Sequence, residues 1–124
     1  MYSVAHVGVV VKDADRSSEF YTQVLGCEIA GSYQDSRIKL VNLAFGGQVI
    51  ELVEYLADKY EPRGKGTVDH IAFLVEDIDA AVDGLRKLAV PLLFEMPIVV
   101  GDKKIMFFAG PDGERLEFVE KLKK

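Results

Sequence analysis

The chain has a single cysteine, Cys27, and no tryptophan. One cysteine excludes an intramolecular disulfide and suits a reducing compartment. Without tryptophan, any aromatic stacking on a ligand rests on tyrosines such as Tyr2, Tyr33, Tyr55 and Tyr60 and on the phenylalanines. No apolar run approaches the ~18 residues of a membrane-spanning helix. Met1 to Val4 runs straight into strand-like sequence, with neither a basic leader region nor a long apolar one, so the expected location is the cytoplasm. Basic residues number 15 against 20 acidic ones, for a net charge of −5, and they are scattered apart from Lys121, Lys123 and Lys124. Phosphate binding needs a concentrated basic face, so nucleic acid is not an expected partner.

What is present is enough for a real core. A chain of 124 residues that is 49% hydrophobic and 28% charged has the composition of an ordinary globular domain. At this size folding buries roughly two-thirds of the unfolded surface. A metal is not needed for folding and would serve chemistry instead.

The chain is written twice. Val4-Ala5-His6-Val7-Gly8-Val9-Val10-Val11-Lys12-Asp13 aligns with Val68-Asp69-His70-Ile71-Ala72-Phe73-Leu74-Val75-Glu76-Asp77. Gly47-Gln48-Val49-Ile50-Glu51-Leu52-Val53-Glu54 aligns with Gly113-Glu114-Arg115-Leu116-Glu117-Phe118-Val119-Glu120. Internal repeats govern the fold and are read before motifs.

Each copy predicts the same elements. Val4 to Val11 alternates as a strand. Asp13 and Asp15 offer caps for a helix over Arg16 to Leu25, with Phe20, Tyr21, Val24 and Leu25 at helical spacing and Gly26 as its stop. The second helix carries Ile78, Val82, Leu85 and Leu88, with Asp77 or Asp79 as cap. Three strands follow in each copy: Glu28 to Tyr33, Lys39 to Phe45 and Gln48 to Tyr55, then Leu92 to Met96, Lys104 to Ala109 and Arg115 to Lys121. Gly46-Gly47 and Pro111-Asp112-Gly113 mark the turns before the last strands. The expected fold class is α+β: tandem βαβββ modules, about 1–58 and 66–124, forming one domain whose mixed sheets curl around a cleft.

Strand alternation decides what faces that cleft. Val7, Val9 and Val11 form the apolar face that meets the helix, which turns His6 away from it. Ile71, Phe73 and Val75 do the same for His70. Leu52 and Phe118 lie opposite Glu51 and Glu117, so both glutamates can share a face with the histidines. A lone strand histidine is more often structural than a ligand. Here the chain's two histidines occupy matching repeat positions, and a glutamate recurs in each final strand. Two imidazoles and two carboxylates make a coordination set for one divalent ion such as zinc, nickel or cobalt, with positions left open. Such an ion polarises a carbonyl oxygen and stabilises an enediolate, while a carboxylate moves a proton between adjacent carbons.

Other residues carry weaker expectations. Glu54 and Glu120 match across the repeat but lie three residues past the glutamates, pointing to solvated roles on the other side. Arg16, Arg37, Lys39, Arg63, Lys103 and Lys104 include candidates for clamping an anionic substrate. Cys27 reads as a small buried apolar residue. Substrate contacts are expected from the loops Tyr33 to Lys39, Asp58 to Thr67 and Pro97 to Lys103.

The repeat, the βαβββ order and the His/Glu/His/Glu pattern together resemble the vicinal oxygen chelate (glyoxalase/bleomycin resistance/dioxygenase) superfamily over essentially the whole chain. Phe20-Tyr21-Thr22-Gln23-Val24-Leu25-Gly26, Gly66-Thr67-Val68-Asp69-His70-Ile71-Ala72 and Gly110-Pro111-Asp112-Gly113-Glu114-Arg115-Leu116-Glu117 look like the corresponding stretches of small bacterial glyoxalase I (lactoylglutathione lyase). That resemblance implies conversion of the hemithioacetal of methylglyoxal and a thiol to a 2-hydroxyacyl thioester. It implies His6, Glu51, His70 and Glu117 as metal ligands, Glu117 with its counterpart Glu51 as the proton shuttle, and a homodimer. The short chain favours nickel or cobalt over zinc. Tyr55-Leu56-Ala57-Asp58 lacks the asparagine expected of glutathione-using relatives, which leaves the thiol open. The alternatives of the same fold are a methylmalonyl-CoA epimerase-like isomerase, in which glutamine typically replaces Glu51, and a non-catalytic antibiotic-binding resistance protein. Fosfomycin-type thiol transferases leave Glu51 unexplained, and extradiol dioxygenases usually place a histidine there.

Overall fold

The computed structural model describes residues 1–63 and 66–122; Lys123 and Lys124 of the basic terminus, and Lys65 of the segment from Asp58 to Thr67, lie outside them. The chain divides into two compact units, Met1–Glu61 and Pro62–Lys124. The first holds β1 (Val7–Val10), α1 (Ala14–Leu25), β2 (Glu28–Gln34), β3 (Ile38–Phe45) and β4 (Gln48–Tyr55); the second holds β5 (Ile71–Leu74), α2 (Ile78–Lys87), β6 (Ile98–Val100), β7 (Lys103–Ala109) and β8 (Arg115–Lys121). Each is a βαβββ module, and the fold class is α+β as expected. No helix among the described residues is long and apolar enough to cross a membrane.

The sheets are mixed and share one plan, with orders β1-β4-β3-β2 and β5-β8-β7-β6. The first strand runs parallel to the last, and the remaining pairs are antiparallel. A parallel neighbour requires a crossover, which the helix supplies. In the first module Tyr21 of α1 packs with the buried face of the sheet, where Val41, Leu43, Ile50 and Leu52 lose nearly all solvent contact. In the second, Ile78, Val82 and Leu85 of α2 join Ile105, Met106, Phe108, Leu116 and Phe118 as buried residues. The Phe108 and Phe118 rings lie 4.6 Å apart. Burial of this kind is the main favourable contribution to folding.

The helices begin and end as their sequences direct. The Asp13 carboxylate accepts from the N–H groups of Asp15 and Arg16, and that of Asp77 accepts from Ala80 N–H. Gly26 closes α1 in the left-handed region at φ 73°, its N–H donating to Thr22, a conformation that costs glycine little.

Four expectations need correction. The first strand is shorter than Val4–Val11, spanning Val7–Val10. Leu92 to Met96 is not a strand: Leu92 makes one bridge, to Phe108, and the segment then bends. Pro91 and Pro97 flank it and lack donors for a ladder. The pairing resumes at the β-branched run Ile98-Val99-Val100 against Lys103–Ile105, so Pro97 to Lys103 is largely a hairpin rather than an open loop. Likewise Tyr33 and Gln34 belong to β2, and Ile38 and Lys39 to β3.

The fourth concerns Glu54 and Glu120, which are not merely solvated. Glu54 Oε1 accepts from the Ala14 N–H at 2.9 Å, and Glu120 Oε1 accepts from the Ile78 N–H at 2.9 Å. Each carboxylate caps the first residue of its module's helix, satisfying an N–H with no partner inside the helix and meeting the positive end of the helix dipole.

Candidate metal centre

Strand register places the candidate ligands. Glu51 lies beside Gly8 in the parallel β1–β4 ladder, and His6 is two residues before Gly8, so both side chains leave the same face. In the second module Glu117 lies beside Ala72, and His70 is two residues before it. Small side chains at Gly8 and Ala72 leave room between histidine and glutamate. The alternation agrees with expectation: Leu52 and Phe118 are buried on the faces opposite Glu51 and Glu117.

In each module one histidine meets one glutamate. His6 Nε2 stands 3.4 Å from Glu51 Oε1, and His70 Nε2 stands 3.0 Å from Glu117 Oε1. Among the described residues no group of three or more His, Cys, Asp or Glu forms a metal-holding cluster; the donors stand as two pairs. Two atoms each ~2.0–2.2 Å from a common ion lie ~2.9–3.4 Å apart at angles between right and tetrahedral. Both observed separations are compatible with paired ligands of one cation.

The second pair is the more enclosed and the better supported. Glu117 is only 7% exposed. His70 Nδ1 lies 2.8 Å from Asp69 Oδ1. A carboxylate can only accept, so Nδ1 carries a hydrogen, and Nε2 is the nitrogen that faces Glu117. Two facing acceptors repel unless a proton or a metal ion lies between them. The donor chemistry therefore fits a divalent cation. Arg115 Nη1 is 3.4 Å from the same Asp69 oxygen, and its guanidinium lies over the Phe107 ring at 4.9 Å. The Phe107 ring also meets the His70 ring edge-on at 5.1 Å.

Asp69, Arg115 and Phe107 were not assigned roles from the sequence. A signal existed: the repeat places Ala5 opposite Asp69 and Val49 opposite Arg115, a difference confined to one copy. Two basic candidates are already engaged, since Lys39 Nζ lies 2.6 Å from Asp15 and Lys104 Nζ 3.1 Å from Asp79. Cys27 is partly buried, and burial raises its thiol pKa above the ordinary value, in keeping with an inert residue.

The final strand owes its position to a tight turn. Gly110 N–H donates to the Glu114 carbonyl at 2.9 Å, and the Glu114 carboxylate occupies the space a Cβ on Gly110 would take. That carboxylate accepts from the Asp112 N–H at 3.0 Å within the turn.

Residues 3–118 match the model of the glyoxalase/bleomycin resistance protein/dioxygenase superfamily. The lactoylglutathione lyase of Haemophilus influenzae is 35% identical over 127 residues, covering 94% of this chain and 91% of that one. The uncharacterized protein YwbC of Bacillus subtilis is 30% identical over 124 residues, covering 95% and 97%. A solved structure of the trypanothione-dependent glyoxalase I of Leishmania major superposes with a TM-score of 0.77 at 29% identity, covering 97% of this chain and 87% of that one. With the tandem βαβββ order and the extent of these matches, the chain belongs to the glyoxalase/bleomycin resistance protein/dioxygenase superfamily.

Proposed function

We propose that this chain is a metal-dependent lyase of the glyoxalase I type, converting the hemithioacetal of an α-oxoaldehyde such as methylglyoxal and a thiol to a 2-hydroxyacyl thioester. One observation carries the reading: His70 Nε2 faces Glu117 Oε1 at 3.0 Å while Nδ1 is committed to Asp69, a donor arrangement that suits a metal cation. His6, Glu51, His70 and Glu117 would serve as the ligands of one divalent ion, nickel or cobalt before zinc. Similarity to lactoylglutathione lyases at up to 35% identity supports the reaction class.

An ion bound by these residues would supply Lewis-acid polarisation. The remaining chemistry belongs to the carboxylates. Glu117, with Glu51 as its counterpart, accepts the proton from the hemithioacetal carbon and returns it to the adjacent carbon through an enediolate, so that the isomerisation consumes no co-reactant. Glu117 is only 7% exposed, so little water reaches its carboxylate. Cytoplasmic location and a homodimer complete the reading.

The test is metal content and affinity on untagged protein with nickel, cobalt and zinc, comparing native chain, His6→Ala and Glu117→Ala. About one ion per site, lost or greatly weakened in both variants, supports the metal centre and leads to assays with hemithioacetals of several thiols, then acyl-CoA epimers. Absence of specific binding, or indifference to both substitutions, overturns it in favour of an antibiotic-binding role.

A further inference from the structure

The two His–Glu pairs are not equivalent, although the repeat makes them look so. In the first module the residue before the histidine is Ala5, the residue two before the glutamate is Val49, and Asn42 lies beside Glu51 in the ladder. The corresponding positions of the second module hold Asp69, Arg115 and Phe107. These three connect in series: the Phe107 ring carries the Arg115 guanidinium at 4.9 Å, Arg115 Nη1 reaches Asp69 Oδ1 at 3.4 Å, and the same oxygen meets His70 Nδ1 at 2.8 Å. The separation of histidine from glutamate follows the support, 3.0 Å with it and 3.4 Å without. So does exposure, with side-chain values of 33% for His70 and 44% for His6.

We propose that Asp69 is a positioning residue for His70, itself oriented by Arg115 on the Phe107 ring, and that it preorganises the His70–Glu117 pair for a metal ion. The proposal rests on the metal-centre reading above. A carboxylate on Nδ1 fixes the plane of the imidazole and leaves Nε2 as the nitrogen turned toward Glu117. Asp69 lies two residues before β5 and Arg115 opens β8, a parallel pair whose ladder begins with Ile71 beside Leu116. The backbone that sets the His70–Glu117 separation thus also sets the Asp69–Arg115 contact. His6 has alanine at the equivalent place and so lacks this support.

The test uses the full chain with cobalt(II) as the probe. Dissociation constants are measured for wild type, Asp69→Ala, Asp69→Asn and Arg115→Leu, with circular dichroism to verify folding. Long-range proton–nitrogen spectra of the metal-free proteins at neutral pH report the His70 tautomer independently of any activity. The expected result is the Nδ1–H form of His70 in wild type, its loss in Asp69→Ala, and cobalt binding weakened about 10- to 100-fold in that variant. Asp69→Asn, which keeps an acceptor oxygen, is expected to restore much of both readouts; a purely structural loss would not separate these variants in this way. Wild-type binding with an indifferent Asp69→Ala overturns the positioning role and leaves the metal centre standing. Wild-type protein that takes up no cobalt, nickel or zinc overturns the metal centre, and the proposal with it.

Discussion

Glu120 Oε1 accepts a hydrogen bond from the backbone N–H of Ile78 at 2.9 Å, across 42 residues of sequence. The contact joins the last strand of the second module to the first turn of its helix. Glu54 and Ala14 repeat it in the first module at 2.9 Å across 40 residues, so this polar tie is built into the βαβββ unit. Replacing either glutamate with alanine strands a part-buried N–H, and a loss of about 1–2 kcal/mol is expected for each. Urea unfolding of Glu54→Ala and Glu120→Ala checks this; losses near zero in both would show that water replaces the carboxylates without penalty.

The end of α2 holds a correctable strain. Ala89 has φ 58°, a left-handed conformation that costs a residue with a Cβ roughly 1–2 kcal/mol. Ala89→Gly is expected to raise stability by about 0.5–1 kcal/mol, the relief being offset in part by the greater freedom of glycine when unfolded. The measurement is the shift of the thermal midpoint, about 4 °C upward per kcal/mol in a chain of this size.

Ser17 is fully buried, and its Oγ has no hydrogen-bond partner. The equivalent position of α2 is Ala81. Removing an unsatisfied hydroxyl relieves its desolvation penalty, so Ser17→Ala is expected to stabilise by about 1 kcal/mol. Calorimetry decides the sign; a lower midpoint would show that the hydroxyl has a function in packing.

Asp35 organises the β2–β3 turn, its carboxylate accepting from the N–H groups of Arg37 and Ile38 at 2.7 and 2.9 Å and from the Tyr33 hydroxyl at 2.8 Å. The backbone donors of Arg37 and Ile38, then the Tyr33 hydroxyl, hold its pKa below the ordinary carboxylate value. The unfolded chain therefore binds this proton more readily. The turn's contribution is full above the unfolded value of about 3.9 and is lost as pH falls through the lower folded value. The same contact raises the Tyr33 pKa, so its contribution is full below the unfolded value of about 10 and is lost as pH rises through the folded one. Carbon-detected titration of the Asp35 carboxyl is expected to give a midpoint below that of an unstructured peptide; an unshifted midpoint would discount the turn.

The helices and most strands were legible because local chemistry and side-chain period agree along them. Asp13, Asp77 and Gly26 mark helix ends by their own geometry, and the alternation around Glu51 and Glu117 assigns faces before any packing is known. The exception is instructive. Leu92 to Met96 is apolar and short like a strand, but period does not reveal that Pro91 and Pro97 interrupt a ladder whose continuation lies at Ile98-Val99-Val100.

By itself the sequence determined the repeat, the α+β class and the matched histidines and glutamates, because a period of two and a helix cap act over a few residues. Only the tertiary structure decided what matched residues touch. Glu54 and Glu120 became helix caps because folding brings β4 and β8 to the first turns of helices some forty residues earlier. Asp69 acquired a role because the start of β8 delivers Arg115 to it across 46 residues. Hydrogen bonds depend on distance in space, and strand order, which no local pattern encodes, sets that distance.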